Sequence, residues 1–279
     1  MTLPAICESP IFIIGSPRSG TSILAWSLAQ HSMLTSWDES NMFFELFRDD
    51  NLDGVYERAS SRPDSGDWLR KCEVSSDEFL ASIGLGINAL VTSRSDAVRW
   101  IDQTPINTLI APTLARAFPG AKFIHILRDG RSVVNSMINF ASAFKAEARD
   151  EFVQAGAMPE FATDFRAACA TWARYVAAAM NFAIKNPERC LTVRNEELRA
   201  HLVPGFQEIL EFLEVDLEPA VATYFRDRKL NSSFPEASLP GGGGAPWEDW
   251  SDSQKETFET IAGRMMALLD NATGTRVGV

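Results

Sequence analysis

The chain is poor in the features that mark several common protein classes. Its 279 residues include only four cysteines and three histidines. Cys7, Cys72, Cys169 and Cys190 are scattered and form no CxxC pair. No Cys/His spacing fits a zinc module, so no metal site is expected. Four reduced thiols in or near a core suit a reducing compartment, which makes a cytoplasmic setting the expectation. Residues 1–10 lack the basic start and apolar run of a secretory signal. The most apolar long stretch, residues 169–184, contains Arg174 and is too short to span a bilayer, so membrane insertion is not expected. Positive charge is scarce as well. Against 37 Asp and Glu stand 26 Lys and Arg, a formal net charge of −11. Such a chain lacks the basic footprint of a general nucleic-acid binder. A polyanionic ligand would need a local basic exception, built from a few well-placed arginines. No repeat of fixed period is present.

What remains is the pattern of an α/β protein. Ile11-Phe12-Ile13-Ile14 follows Pro10 and reads as a strand buried on both faces, as in a parallel sheet. It runs into Gly15-Ser16-Pro17-Arg18-Ser19-Gly20-Thr21-Ser22 and then a helical pattern over 23–30. Further strands are expected at 98–101, 122–127 and 189–193. Helices are expected at 106–118, from about Ser132, and at 161–185, 196–199, 206–213 and 220–227. A closing helix spans 251–270 with Ser251 as its N-cap. Residues 48–97 read as helices and loops outside the sheet, and 145–160 as a mobile excursion. Alternating strands and helices point to one domain over 1–279, a parallel sheet flanked by helices.

Two turns carry chemistry. Gly15 and Gly20 frame a loop between a strand and a helix, where backbone N–H groups converge on an anion. The helix end adds roughly half a positive charge. A nucleoside-triphosphate loop continues Gly-Lys-Ser/Thr. Here Gly20 is followed by Thr21 and Ser22, and the cation sits inside the loop as Arg18. That departure argues against an ordinary ATPase or GTPase; a plain Gly/Ser turn is the competing reading. The second turn, Arg128-Asp129-Gly130-Arg131, ends the strand at 122–127. Arg128 offers a planar fork to phosphate oxygens, and Ser136 projects from the next helix. The competing reading is a solvated helix start with ordinary surface charges.

Pro17-Arg18-Ser19-Gly20-Thr21-Ser22 resembles the 5′-phosphosulfate loop of the sulfotransferases that use 3′-phosphoadenosine 5′-phosphosulfate (PAPS), in the wording of the tyrosylprotein and bacterial branches. Residues 123–137 are similar to the family's 3′-phosphate segment, in which an Arg and a Ser eight residues later grip that phosphate. Arg128 and Ser136 have this spacing. Weaker matches are Val193-Arg194-Asn195-Glu196-Glu197-Leu198 and the four glycines at 241–244, followed by Trp247 and Trp250. The family closes a late loop over the nucleotide at that place.

The resemblance implies a P-loop-like sulfotransferase fold. It implies transfer of a sulfuryl group from PAPS to an acceptor hydroxyl or amine, leaving 3′-phosphoadenosine 5′-phosphate (PAP), without a metal. Nucleotide contacts are implied for Arg18, Ser19, Gly20, Thr21, Ser22, Arg128, Ser136, Gly241 and Gly242, with Arg18 also the catalytic cation. The family's glutamate base falls by ungapped count on Glu39. Asp38 and His31 are its rivals, and Ser36 with Glu39 could instead form a capping box opening a helix at 40–47. His125 reads as a core or supporting residue. The family's second-strand lysine is replaced by Gln103, in Asp102-Gln103-Thr104-Pro105. That replacement keeps open a non-catalytic PAP-binding protein of the same fold; a small-molecule kinase is a further alternative. The acceptor walls are expected in 41–80 and 140–161. Phe43, Phe44, Phe47, Trp68, Phe144 and Phe152 there hint at an apolar or aromatic acceptor, either a small molecule or a peptide.

Overall fold

A computed structural model describes residues 5–48, 51–61, 68–140, 159–228 and 247–272. Its centre is a five-stranded parallel sheet in the order β2-β3-β1-β4-β5. The strands are β1 (Ile11–Ile14), β2 (Leu34–Ser36), β3 (Arg99–Asp102), β4 (Lys122–Leu127) and β5 (Cys190–Arg194). Every residue of β1 is buried, as expected of a central strand covered on both faces. Side chains alternate between the faces. Phe12 and Ile14 pack with Trp100, Phe118 and Phe123 on one side. Ile11 and Ile13 pack with Leu24, Ile124, Ile126 and Phe206 on the other.

Helix α1 (Thr21–Leu28) follows β1. Between β2 and β3 lie α2 (Met42–Phe47), α3 (Asn51–Ser60), α4 (Trp68–Lys71) and α5 (Ser76–Thr92), all outside the sheet as the polar, broken sequence predicts. A 3-10 turn (Pro105–Ile110) and α6 (Ala111–Ala117) lead to β4. Beyond β4 come α7 (Gly130–Ile138), a 3-10 turn (Glu160–Ala162) and α8 (Phe165–Lys185). After β5 follow α9 (Asn195–Ala200), α10 (Leu202–Phe212) and α11 (Pro219–Asp227). The chain closes with a 3-10 turn (Trp247–Asp249), α12 (Asp252–Phe258), a π-helical turn (Glu259–Gly263) and α13 (Arg264–Ala272). Val133, Val134 and Met137 of α7 share a core with Trp172 of α8, Trp250 and Phe258. That core fixes the direction in which α7 leaves the sheet.

The chain leaves β1 towards β2 but leaves β4 towards β5. The connections therefore diverge between two adjacent strands, and their carboxyl ends open a crevice. Both turns singled out in the sequence lie at this point.

The differences from the sequence reading have local causes. β3 starts at Arg99, because Val98 is 64% exposed and lies outside the sheet. β2 was not foreseen, being three residues long with only Leu34 buried. The helix expected at 106–118 opens as a 3-10 turn behind Pro105. The helix expected from 161 starts at Phe165, where the Asp164 side chain accepts from Ala167 N at 2.7 Å. Ser251 caps α12 through a reciprocal box with Gln254, but the closing helix is interrupted by the π-helical turn. The excursion expected at 145–160 lies mostly outside the described residues.

Candidate nucleotide-binding site

The loop after β1 needs backbone that ordinary residues avoid. Gly15 has φ +153° and Gly20 φ +104°. A Cβ on Gly15 would lie 2.5 Å from the Ile126 carbonyl oxygen, and one on Gly20 would strike Asn195 Nδ2. Arg18 itself is left-handed at φ +69°. Three neighbours hold this shape. Gly15 N donates to Thr108 Oγ1 at 2.8 Å, and that hydroxyl donates to Gly15 O at 3.0 Å. Ser19 N donates to Ser16 O at 3.1 Å. Asn195 Nδ2 donates to Ser19 O at 3.0 Å, tying the loop to the end of β5.

Gly20→Ala combines a left-handed alanine, costing about 1–2 kcal/mol, with a collision at Asn195. A melting point lower by several degrees and weakened nucleotide binding are expected. Thermal denaturation with and without PAP checks both; an unchanged melting point would contradict the role given to this turn.

Gly20 caps α1 without any side-chain bond, so the first N–H groups of the helix stay available. Gly20, Thr21 and Ser22 line a cavity of about 740 Å³, as do Arg18, Arg128 and Ser136. Ser19 lies beneath, its hydroxyl buried without a partner among the described residues. The two arginine-bearing turns touch. Arg128 Nη1 donates to Arg18 O at 3.1 Å, and Arg18 Nε donates to Ser136 Oγ at 3.1 Å. The Arg18 guanidinium also lies 5.6 Å from the Phe140 ring centroid. Burial lowers the pKa of Arg18; the negative charge of Glu39 opposes this and the Arg128 guanidinium adds to it. Burial also lowers that of Arg128, with Glu196 opposing and Arg199 adding. Arginine remains charged nonetheless. Two desolvated guanidiniums side by side are a strong attractor for an anion.

Glu39 lines the same cavity. The capping-box reading fails. Ser36 belongs to β2 and its hydroxyl donates to Ile101 O at 3.2 Å, while α2 starts at Met42 behind Asn41. Glu39 is instead positioned through its neighbour. Ser40 N donates to Thr104 Oγ1 at 2.8 Å, and the same hydroxyl lies 3.0 Å from Ser40 O. Asp38 is exposed and away from the cavity lining. His31 is structural: its Nε2 lies 2.9 Å from Asp216 O, and its Nδ1 accepts from Met33 N at 3.1 Å. His125 is buried in β4 with Nδ1 3.3 Å from Thr192 Oγ1.

Gln103 is buried, away from the cavity lining, and its Oε1 has no partner among the described residues. Its neighbour Asp102 anchors the segment, accepting from Thr104 N at 3.0 Å and Asn107 Nδ2 at 2.8 Å. Burial raises the Asp102 carboxyl to about 6, and burial lowers His125 to about 4. The two have opposite consequences. Asp102 holds its proton better when folded, so its contribution falls as pH rises from about 4 to about 6. His125 resists protonation when folded, so stability is lost as pH falls from about 6.5 to about 4. Each effect amounts to roughly 3 kcal/mol, and they nearly cancel. Asp102→Asn is expected to expose the histidine, losing roughly 3 kcal/mol relative to wild type between pH 6.5 and pH 4. Denaturant melts across that range check it; parallel profiles would contradict it.

The aromatic residues divide. Phe44 lines the cavity, whereas Phe43 and Phe47 are core residues around Phe118. Trp68 is 65% exposed and outside the lining. Gly241, Gly242, Phe144 and Phe152 lie outside the described residues. Trp250 Nε1 donates to Asn135 Oδ1 of α7 at 2.7 Å, and Trp247 lies 5.8 Å from the Arg131 guanidinium. Sequence reasoning missed Thr171, Arg174 and Tyr175 of α8 and Arg199 of α9 as cavity residues. Arg174 carried a signal, being the single charge inside the most apolar stretch.

Residues 10–219 match a family model described as the sulfotransferase family. The chain belongs to the sulfotransferase family. Protein-tyrosine sulfotransferase A of Caenorhabditis elegans is 25% identical over 215 residues, 76% of this chain and 51% of that protein. Protein-tyrosine sulfotransferase 1 of Danio rerio is 23% identical over 212 residues, 76% of this chain and 54% of that protein. The chain thus spans about half the length of these curated relatives. Among solved structures, the sulfotransferase domain from the curacin biosynthetic pathway aligns with a TM-score of 0.53 at 20% identity, covering 97% of this chain and 99% of that one. The mouse sulfotransferase SULT7A1, complexed with PAP, aligns at TM-score 0.53 and 16% identity, covering 93% and 85%. These structures share the fold of this chain, a parallel sheet flanked by helices. No helix among the described residues is long and apolar enough to cross a membrane.

Proposed function

We propose that this sulfotransferase binds PAPS in the cavity at the β1/β4 crevice and transfers its sulfuryl group to an acceptor hydroxyl. One observation carries the reading: Pro17, Arg18, Gly20, Thr21 and Ser22 of the loop face one cavity with Arg128, Ser136 and Glu39. The N–H groups of Gly20, Thr21 and Ser22, with Arg18, receive the 5′-phosphosulfate. Arg128 and Ser136 receive the 3′-phosphate. Arg18 Nε donates to Ser136 Oγ at 3.1 Å, which joins the two phosphate-binding turns.

The transfer is an in-line displacement. The acceptor oxygen forms a bond to sulfur while the bond from sulfur to the bridging phosphate oxygen breaks. That electron pair leaves with PAP, and the acceptor proton passes to Glu39. Charge developing on the leaving phosphate falls to Arg18 and the helix N-terminus. Gln103 stands outside the cavity lining, so the second-strand cation of the family is not replaced in place. The reading includes a cytoplasmic setting, supported by four free cysteines of which three are buried.

A thermal-shift comparison tests the ligand. A native-state ligand at 100 times its Kd stabilises by about 2.7 kcal/mol, so PAP should raise the melting point by several degrees. Mg-ATP should raise it little. The reverse order would favour a kinase. Release of PAP from PAPS in an acceptor screen then separates transfer from mere binding.

A further inference from the structure

We propose that the acceptor is a small hydroxylated molecule with an apolar body and a single carboxylate, and that Arg174 grips that carboxylate. This rests on the nucleotide reading above, because it assigns the part of the cavity that the nucleotide leaves over.

The charged groups of the cavity fall into two sets, with Glu39 common to both. Arg128 acts on Arg18, and Arg199 on Arg128, at the nucleotide end. Arg174, Glu160 and Glu39 all act on the Tyr175 hydroxyl. Tyr175, Arg174, Glu160 and Glu39 all line the same cavity. Thr171, Arg174 and Tyr175 face the cavity together from α8, so this side of α8 is a cavity wall. Phe44, Ile106, Leu109 and Phe161 supply the apolar surface.

Arg174 makes no ion pair with a described carboxylate, in a chain whose acidic residues outnumber its basic ones by 37 to 26. Arg116, Arg131 and Arg194 all have such partners. A guanidinium left over in a cavity wall offers its fork to a ligand, and a carboxylate matches it with two parallel bonds. Glu39 and Glu160 in the same space repel a dianion or a second acidic group, so a single carboxylate fits best. Tyr175 is 8% exposed, and its hydroxyl has no hydrogen-bond partner among the described residues. Burial pushes its pKa up to about 12, so it remains a donor towards the acceptor oxygen.

The test uses the full chain loaded with PAP and a matched pair of probes, 3-(4-hydroxyphenyl)propionate and its primary amide. Calorimetry on wild type should show the acid binding about 10- to 100-fold tighter than the amide, the value of a charged hydrogen-bonded pair. Arg174→Gln should abolish that preference while leaving amide binding and the Kd of PAP unchanged. Arg174→Glu should reverse it towards the matching amine, tyramine. Equal binding of acid and amide by wild type, no binding of either, or a preference that survives in Arg174→Gln would overturn the proposal. The PAP titration comes first. If PAP does not bind, the nucleotide reading fails by itself, and the acid and amide comparison is then read on the free chain.

Discussion

Arg128→Ala is expected to weaken PAP binding about 10- to 100-fold, the loss of charged hydrogen bonds worth roughly 1.5–3 kcal/mol. Arg128 is half-buried against the loop and donates to Arg18 O, so its removal has two effects. It takes away the fork offered to the 3′-phosphate, and it frees the loop that holds the 5′ end. Arg18→Ala should cost a similar factor, and the double variant less than the product of the two, because neighbours that share a partner are not additive. Nucleotide calorimetry on the three variants gives this coupling directly. Affinity that stays within twofold of wild type in Arg128→Ala would remove the assignment of the 3′-phosphate site.

Glu39→Gln is expected to lower turnover by about 10²- to 10⁴-fold, the usual range for a positioned general base. The Kd of PAP should change little, because the backbone N–H groups and arginines that hold the nucleotide are untouched. The amide keeps the shape of the side chain, and the Ser40–Thr104 bonds that place it are backbone-to-hydroxyl. A rate lost without affinity identifies a group acting on the acceptor proton. Undiminished turnover in Glu39→Gln would remove the assignment of Glu39 as the base.

The sequence made the nucleotide end of the site legible because that end is built from local geometry. A buried strand, a turn with left-handed positions and an exposed helix N-terminus are all written in consecutive residues. Arg128 directly follows β4 and Arg18 lies four residues past the end of β1, so placing the strands places the arginines. The acceptor end depends on packing between distant segments, and there the sequence misleads. Phe43 and Phe44 are adjacent, yet helical phase sends one to the Phe12 and Trp100 core and the other to the cavity. The ambiguity at Glu39 arose from one unread element. Once Leu34–Ser36 is a strand paired with β3, Ser36 is committed to the sheet and cannot cap α2. Gln103 stands where the resemblance places a lysine, but its chain position turns the amide into the interior.

The central claim is that one cleft grips both phosphate-bearing ends of a single nucleotide. Titration of the full chain with PAP, with adenosine 5′-monophosphate, which lacks the 3′-phosphate, and with adenosine 5′-phosphosulfate tests it most directly. The expected result is one site per chain, metal-independent, in which loss of the 3′-phosphate weakens binding in wild type but not in Arg128→Ala. Ligands with and without the 3′-phosphate binding wild type equally well would contradict it.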